Sequence, residues 1–295
     1  MTMPIIEDTA TARLWKRPRL PVGRFGLIVG AAIIAAILFV ALLAPWIAPH
    51  SPYDQSLTNR LIKPVFMDGG SWNHVLGTDH LGRDYLSRLM FGARLSLMIG
   101  FGTILMSALV GIGLGLAAGY FGGRVDLVVM FLLTVRLSLP IMLVAISLVG
   151  LLGNSLFLMM VILACFLWDQ FLVVTRSLTM RFRDAEFVQA ARAAGLSDRK
   201  IMISEILPNL VSPLVVVATL EMAHAILLEA ALSFLGLGIR PPDSSWGLMI
   251  AEAKDFVFFE PWLVNVPGLA IFILVAGITF LGEGLRSLYA PDGSR

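Results

Sequence analysis

Six apolar runs, each long enough to cross a bilayer, constrain this chain more than any other feature. They extend roughly over Phe25–Ala48, Leu95–Gly119, Val125–Leu151, Leu156–Leu178, Leu210–Leu237 and Val266–Leu285. About 20 apolar residues of helix span the hydrocarbon core. With no water at that depth, each backbone N–H and C=O must be paired internally, which leaves helices or closed barrels. The runs are continuous and do not alternate, so they are read as helices. Composition agrees: 58% of the 295 residues are hydrophobic and 14% charged, too little polar surface to cover a soluble globule of this size. The expected fold class is an all-α, polytopic membrane protein with six transmembrane helices.

The first run follows Arg13, Lys16, Arg17, Arg19 and Arg24, an arrangement that resembles a secretory signal. At about 24 residues it exceeds the 7–15 of a signal's apolar region, and it is read as a retained span. Six spans put both termini on one side. Fourteen Lys and Arg fall on that side: the five just named, Arg124, Arg176, Arg181, Arg183, Arg192, Arg199, Lys200, Arg286 and Arg295. Seven fall on the other: Arg60, Lys63, Arg83, Arg88, Arg94, Arg240 and Lys254. The excess predicts cytoplasmic termini in the plasma membrane. The organisation is then a basic tail (1–24), a first helix (25–48), an outside loop (49–94), a core (95–288) that includes a cytoplasmic segment (179–209), and a short tail (289–295). A net charge of +2 gives no reason to expect nucleic acid. The single cysteine, Cys165, lies in an apolar run and reads as a small buried hydrophobe. Gly111, Gly113, Gly115 and Gly119 suggest a face for close helix packing. Trp72, Tyr85 and Phe91 are candidate interface anchors, in a segment that either receives a partner or seals the outer leaflet.

One polar stretch interrupts the apolar pattern: EFVQAARAAGLSDRKIMISEILPN, Glu186 to Asn209. Asp184 is placed to cap a first helix, with Glu186 in its first turn. Ala190, Ala191, Ala193 and Ala194 favour helix and leave a low profile. Gly195 suits the left-handed residue that closes a helix. Ser197 then caps a second helix, and Pro208 is expected to break it. Such a hairpin is either a solvated connector or a docking element whose small side chains let another protein's backbone approach.

Gln189-Ala190-Ala191, three residues, Gly195, then Ile206-Leu207-Pro208 resembles the EAA motif of membrane subunits of bacterial ABC importers. Gln189 stands where the motif usually has Glu, and the isoleucine lies one residue late. GTDHLGRDYLSRLMFGARLSL (Gly77–Leu97), LSFLGLGIRPPDSSWG (Leu232–Gly247) and PWLVNVPGLAIFILVAGITFLGEGLRSLYAP (Pro261–Pro291) are similar to C-type permeases, the DppC/OppC kind, of dipeptide, oligopeptide and nickel importers. The resemblance implies a type I importer (MetI-like) permease fold, paired with a homologous B-type permease in the lipid bilayer. It also implies partner ATP-binding subunits that hold ATP and Mg, an extracytoplasmic substrate-binding protein, and no cofactor on this chain. It assigns ATPase docking to Glu186, Gln189, Ala190, Ala191, Gly195, Leu196, Leu207 and Pro208. No GxxxxGK[ST] phosphate loop occurs in the sequence.

Charged groups inside a span cost about 2.5–3.5 kcal/mol on insertion scales, so each needs a reason. Arg136, Asp169, Glu221, His224 and Glu229 are the candidates for the translocation path. Helical spacing puts Glu221 and His224 about 60° apart, with Glu229 about 80° to the other side, a broad polar stripe. The competing reading is that these groups satisfy one another as interhelical pairs. A transporter driven by an ion gradient is the alternative function, with Asp169, Glu221 and His224 as proton carriers. Against it, the six spans lack two matching broken-helix halves around a midplane site, and that reading leaves the alanine-glycine segment unexplained. HExxH, GxSxG and paired aspartates at membrane depth do not occur, which argues against a membrane enzyme.

Overall fold

A computed structural model describes residues 22–153 and 155–289, and the described residues form helices joined by loops, with no strand beyond two isolated bridges. The tail residues Arg13, Lys16, Arg17, Arg19 and Arg295 lie outside the described residues. Helix α1 (Val22–Ile47) lies along α11 (Trp262–Tyr289). The two backbones nearly touch there: a Cβ on Gly30 would sit 2.4 Å from the Leu281 nitrogen.

Helix α2 (Tyr85–Phe121) has 37 residues, about 55 Å at 1.5 Å per residue, well beyond the roughly 30 Å hydrocarbon core. It begins ten residues before the expected Leu95, so the end of the expected outside loop is its first turns. The start follows from Asp84, whose Oδ2 accepts the Ser87 N–H at 2.8 Å. The expected glycine face is real for three of its four members. Cβ atoms on Gly111, Gly115 and Gly119 would meet Phe171, Thr175 and Thr179 of α6 (Asp169–Arg183) within 2.7 Å, while Gly113 faces open space. Residues four apart share a helix face; Gly113 points elsewhere.

Two of the six expected spans are not straight. The third consists of α3 (Gly123–Ser138) and α4 (Ile141–Leu152), bent by 85°. Pro140 forces the residue before it into extended backbone, and Leu139 has φ −96° and ψ 121°. The fourth consists of α5 (Leu156–Ala164) and α6, bent by 43°. Phe166, Leu167 and Trp168 fill that break as buried side chains. Among the described residues four helices are long and apolar enough to cross alone, and six spans result when each bent pair counts as one. Bent spans are not expected from the sequence. The reading of Cys165 as a buried hydrophobe is corrected: it begins the break and is exposed.

The polar stretch forms α7 (Glu186–Ala193) and α8 (Asp198–Lys200), followed by a π-helical segment (Ile201–Ile206) and α9 (Leu207–Phe234). Pro208 does not break the helix: it sits where the π-helical segment passes into α9. The wider π turn just before it relieves the crowding its ring would impose on a regular helix.

Opposite this hairpin, the other end of the bundle closes around α10 (Trp246–Ala253). Asp79 accepts from Arg83 Nε and Arg88 Nη1 at 2.6 Å each, and Glu252 of α10 accepts from the same two guanidinium groups at 2.8 and 2.7 Å. Burial disfavours the Asp79 carboxylate, but Arg88, Arg83 and the N–H groups of Arg83 and Leu81 outweigh it and lower its pKa. Tyr85 is not an interface anchor. It is buried, with its ring edge-on to Trp262 at 5.2 Å and its hydroxyl donating to the Leu263 carbonyl, whereas Trp72 is exposed.

Candidate functional site: a surface hairpin and a polar seam

Local sequence explains the hairpin's shape. Gly195 has φ +79°, the left-handed conformation expected of it. Asp184 is not the cap. Ala185 occupies that position, and the Asp184 carbonyl instead accepts from the Gln189 amide at 3.0 Å. Ser197 is the residue before α8, but its side chain makes no capping bond.

One face of α7 is anchored and the other is free. Val188 is fully buried and packs with Ile201, Ile206 and Leu210, with Ala191, Leu196 and Leu207 against the same cluster. Glu186, Gln189, Ala190, Gly195 and Pro208 are exposed. Of the eight residues expected to dock, Ala191, Leu196 and Leu207 thus turn toward the bundle, and the other five are available to a partner. Tyr120, near the end of α2, joins the two halves of the hairpin. Its hydroxyl donates to Asp198 at 2.7 Å and accepts from Arg192 at 3.2 Å. From α6, Arg183 reaches the Gly119 and Tyr120 carbonyls at 3.4 and 3.5 Å, pairing the open end of α2. Contacts thus join α7 to α2 and α9, with α6 bonded to the end of α2. Sequence reasoning passed over Tyr120; its position between a glycine-studded span and Gly122-Gly123 was the available signal.

The five membrane-depth candidates do not form one stripe. Arg136, in the last turn of α3, pairs with Asp169 at the start of α6 at 2.8 Å and donates to the Phe166 carbonyl. The two helix breaks therefore lie beside each other and Arg136 ties them. Breaking a helix in a membrane orphans carbonyls, and here Arg136 serves Phe166 while Trp168 Nε1 serves Cys165 at 2.9 Å. Glu221 is buried and lies 3.3 Å from His224, whose side chain is 61% exposed. Glu229 is 1% exposed and separate. It accepts from Ser233 at 2.7 Å and from Ser245 at 2.8 Å, while Ser245 Oγ accepts the Leu248 N–H of α10 at 3.1 Å. Glu229 is an internal tether between α9 and α10. The arrangement offers a rigid small-residue face at one end, an ion-paired seam across the breaks, and one exposed imidazole between.

A family model for the binding-protein-dependent transport system inner membrane component matches residues 111–292. A second, for the N-terminal TM domain of oligopeptide transport permease C, matches residues 26–64. Among curated relatives, a di/tripeptide transport system permease of Pseudomonas aeruginosa is 41% identical over 90% of this chain and 88% of its own. A dipeptide transport system permease of Escherichia coli is 40% identical over 90% and 89%, and one of Haemophilus influenzae 36% over 90% of each. Among solved structures, the inward-facing MetNI methionine ABC transporter superposes with TM-score 0.54 at 17% identity, covering 68% of this chain and 96% of that one. This last likeness speaks to fold alone.

Proposed function

This chain belongs to the family of binding-protein-dependent transport system inner membrane components, and on that premise we propose that it forms half of an ATP-driven path for short peptides across the bacterial cytoplasmic membrane. The other half is a homologous B-type permease. Two ATP-binding domains, which hold the ATP and Mg, sit against α7, and an extracytoplasmic binding protein delivers cargo at the α10 end. Both termini then lie in the cytoplasm, a placement that the excess of Lys and Arg on that side supports.

The observation that carries this reading is the divided character of α7. A connector needs no anchor, yet Val188 is fully buried beneath an exposed face of Glu186, Gln189 and Ala190. A face that is smooth outside and fixed inside transmits force. When a partner cleft moves α7, Val188 pushes on Ile201 and Ile206, and Tyr120 pulls on α2. The peptide cargo is supported by the relatives' roles, and the exposed His224 with Glu221 beneath it suits a peptide terminus in the path between the two permeases.

Uptake of a labelled dipeptide into proteoliposomes tests this, using the chain with its sister permease, ATPase and binding protein. The expected result is uptake that requires ATP and is unaffected by a protonophore. Uptake driven by a proton gradient without ATP overturns the proposal and favours the gradient-driven alternative, for which the two broken spans are the relevant observation.

A further inference from the structure

At the end of the bundle opposite α7, three residues distant in sequence converge. His50 follows the end of α1, His74 lies in the long loop, and Asp84 caps α2. We propose that His50, His74 and Asp84 form a binding site for a divalent transition cation of the zinc type.

The donor atoms are already close to the required arrangement. Zinc bonds of 2.0–2.2 Å to nitrogen and oxygen place tetrahedral ligand atoms about 3.4 Å apart. Here His74 Nδ1 lies 2.9 Å and His50 Nδ1 3.6 Å from Asp84 Oδ1, and all three donors lie within 4.8 Å of one another. The imidazoles flank each other with ring centroids 4.7 Å apart. Each residue is also fixed from behind. The His50 N–H donates to Ser87 Oγ at 3.1 Å, the His74 N–H to the Ser71 carbonyl at 3.1 Å, and Asp84 Oδ2 is occupied by the Ser87 N–H. Oδ1 faces the two imidazoles and is hydrogen-bonded to His74 Nδ1 at 2.9 Å, the pairing a bound cation would replace.

Charge points the same way. The Asp84 side chain is 1% exposed, yet its ion pairs among the described residues are with the two imidazoles alone. The neighbouring Arg83 and Arg88 are engaged by Asp79 and Glu252. A buried carboxylate whose neighbouring guanidinium groups are engaged elsewhere is a place for a cation, which a divalent metal supplies. Two nitrogen donors select borderline transition ions over Mg²⁺ and Ca²⁺, which prefer all-oxygen shells. A cavity of about 270 Å³ opens on the cluster, with Asp54 and Gln55 on its wall, and leaves the fourth position to water or one of these side chains. Occupied, the site staples the exit of α1 to the entry of α2.

The test uses the full-length chain, purified in detergent with a histidine-free affinity tag and stripped with chelator. Zn²⁺ is titrated against a chromophoric competitor, and Co²⁺ serves as a spectroscopic probe of geometry. One equivalent of Zn²⁺ is expected at micromolar free concentration, with a higher thermal midpoint, a four-coordinate Co²⁺ spectrum, and no displacement by millimolar Ca²⁺. His50 is 42% exposed, so His50→Ala is expected to keep the metal-free thermal midpoint. It should lose affinity by at least the roughly 10–100-fold that even a supporting residue costs. Asp84→Asn, which retains an oxygen for the cap, should do the same. Equal Zn²⁺ binding by wild type and both variants overturns the assignment, and so does no binding by wild type.

Discussion

Removing the Arg136 guanidinium probes the seam between the two broken spans. Arg136→Met keeps the length of the side chain but leaves two groups unserved: the Asp169 carboxylate, 2.8 Å away, and the Phe166 carbonyl in the break of the fourth span. Breaking a buried ion pair from one side costs about 3–5 kcal/mol. Both side chains here keep some exposure, which screens the pair and favours the lower end, about 3 kcal/mol. The orphaned carbonyl adds about 1 kcal/mol. Asp169→Leu leaves Arg136 its bond to Phe166, so it should cost about 1 kcal/mol less than Arg136→Met. The double variant removes both charges and should recover about 2 kcal/mol relative to the sum of the singles, because no charge is then buried alone. Denaturant titration of the purified chain in mixed micelles, followed by tryptophan fluorescence, measures all four corners. Single substitutions below about 0.5 kcal/mol, or strictly additive costs, would refute the claim that this pair holds the breaks together.

Other consequences concern separate parts of the molecule. Glu229→Ala removes the acceptor of both Ser233 and Ser245 and should destabilise the chain by about 2–4 kcal/mol, loosening α10, as amide hydrogen exchange of residues 245–253 would report. Gly115→Leu should prevent folding, because even its Cβ would lie 2.6 Å from Thr175 Cβ; Gly113→Leu, which meets nothing within 4 Å, should be tolerated in the isolated chain. Expression and monodispersity by size exclusion separate the two. The lowered pKa of Asp79 means its ion pairs contribute stability above the ordinary carboxylate value of about 3.9, which is lost as pH falls through the lower folded value. Protease sensitivity of the loop between α1 and α2 should therefore stay flat from neutrality to about pH 5 and rise only below about pH 4. A rise near pH 6 would point to another group.

The sequence was legible where one residue's own chemistry decides the structure. Apolar runs gave the spans, Gly195 gave the turn, and the four-residue glycine spacing marked a face of α2 for close packing, though not that α6 fills it. Pro140 announced one break, although the span was read as continuous. The other break was not legible, since Cys165-Phe166-Leu167-Trp168 contains no proline or glycine and is held open by Arg136, 30 residues earlier. Glu229 looked like a path residue until its partner Ser245, 16 residues on, folded back over it. Pairwise contacts that depend on how loops return, such as Glu252 with Arg83 and Arg88 or His50 with His74 and Asp84, leave no periodic trace. Arg83 with Asp79 is no exception, since the two pair across a turn before α2 and not along a helix.

The central claim, that α7 is where an ATPase grips this subunit, is tested most directly by cross-linking. Cys165 is the chain's single cysteine; replacing it with serine leaves a background for Ala190→Cys on the exposed face of α7 and, as a control, Trp72→Cys in the exposed part of the long loop. In membranes holding the assembled complex, a short thiol cross-linker should join position 190 to the ATPase subunit, change in yield with ATP, and leave position 72 unlinked. Absence of any product from position 190, with the complex intact and the cysteine reactive, would contradict the account and return the hairpin to a connector between spans.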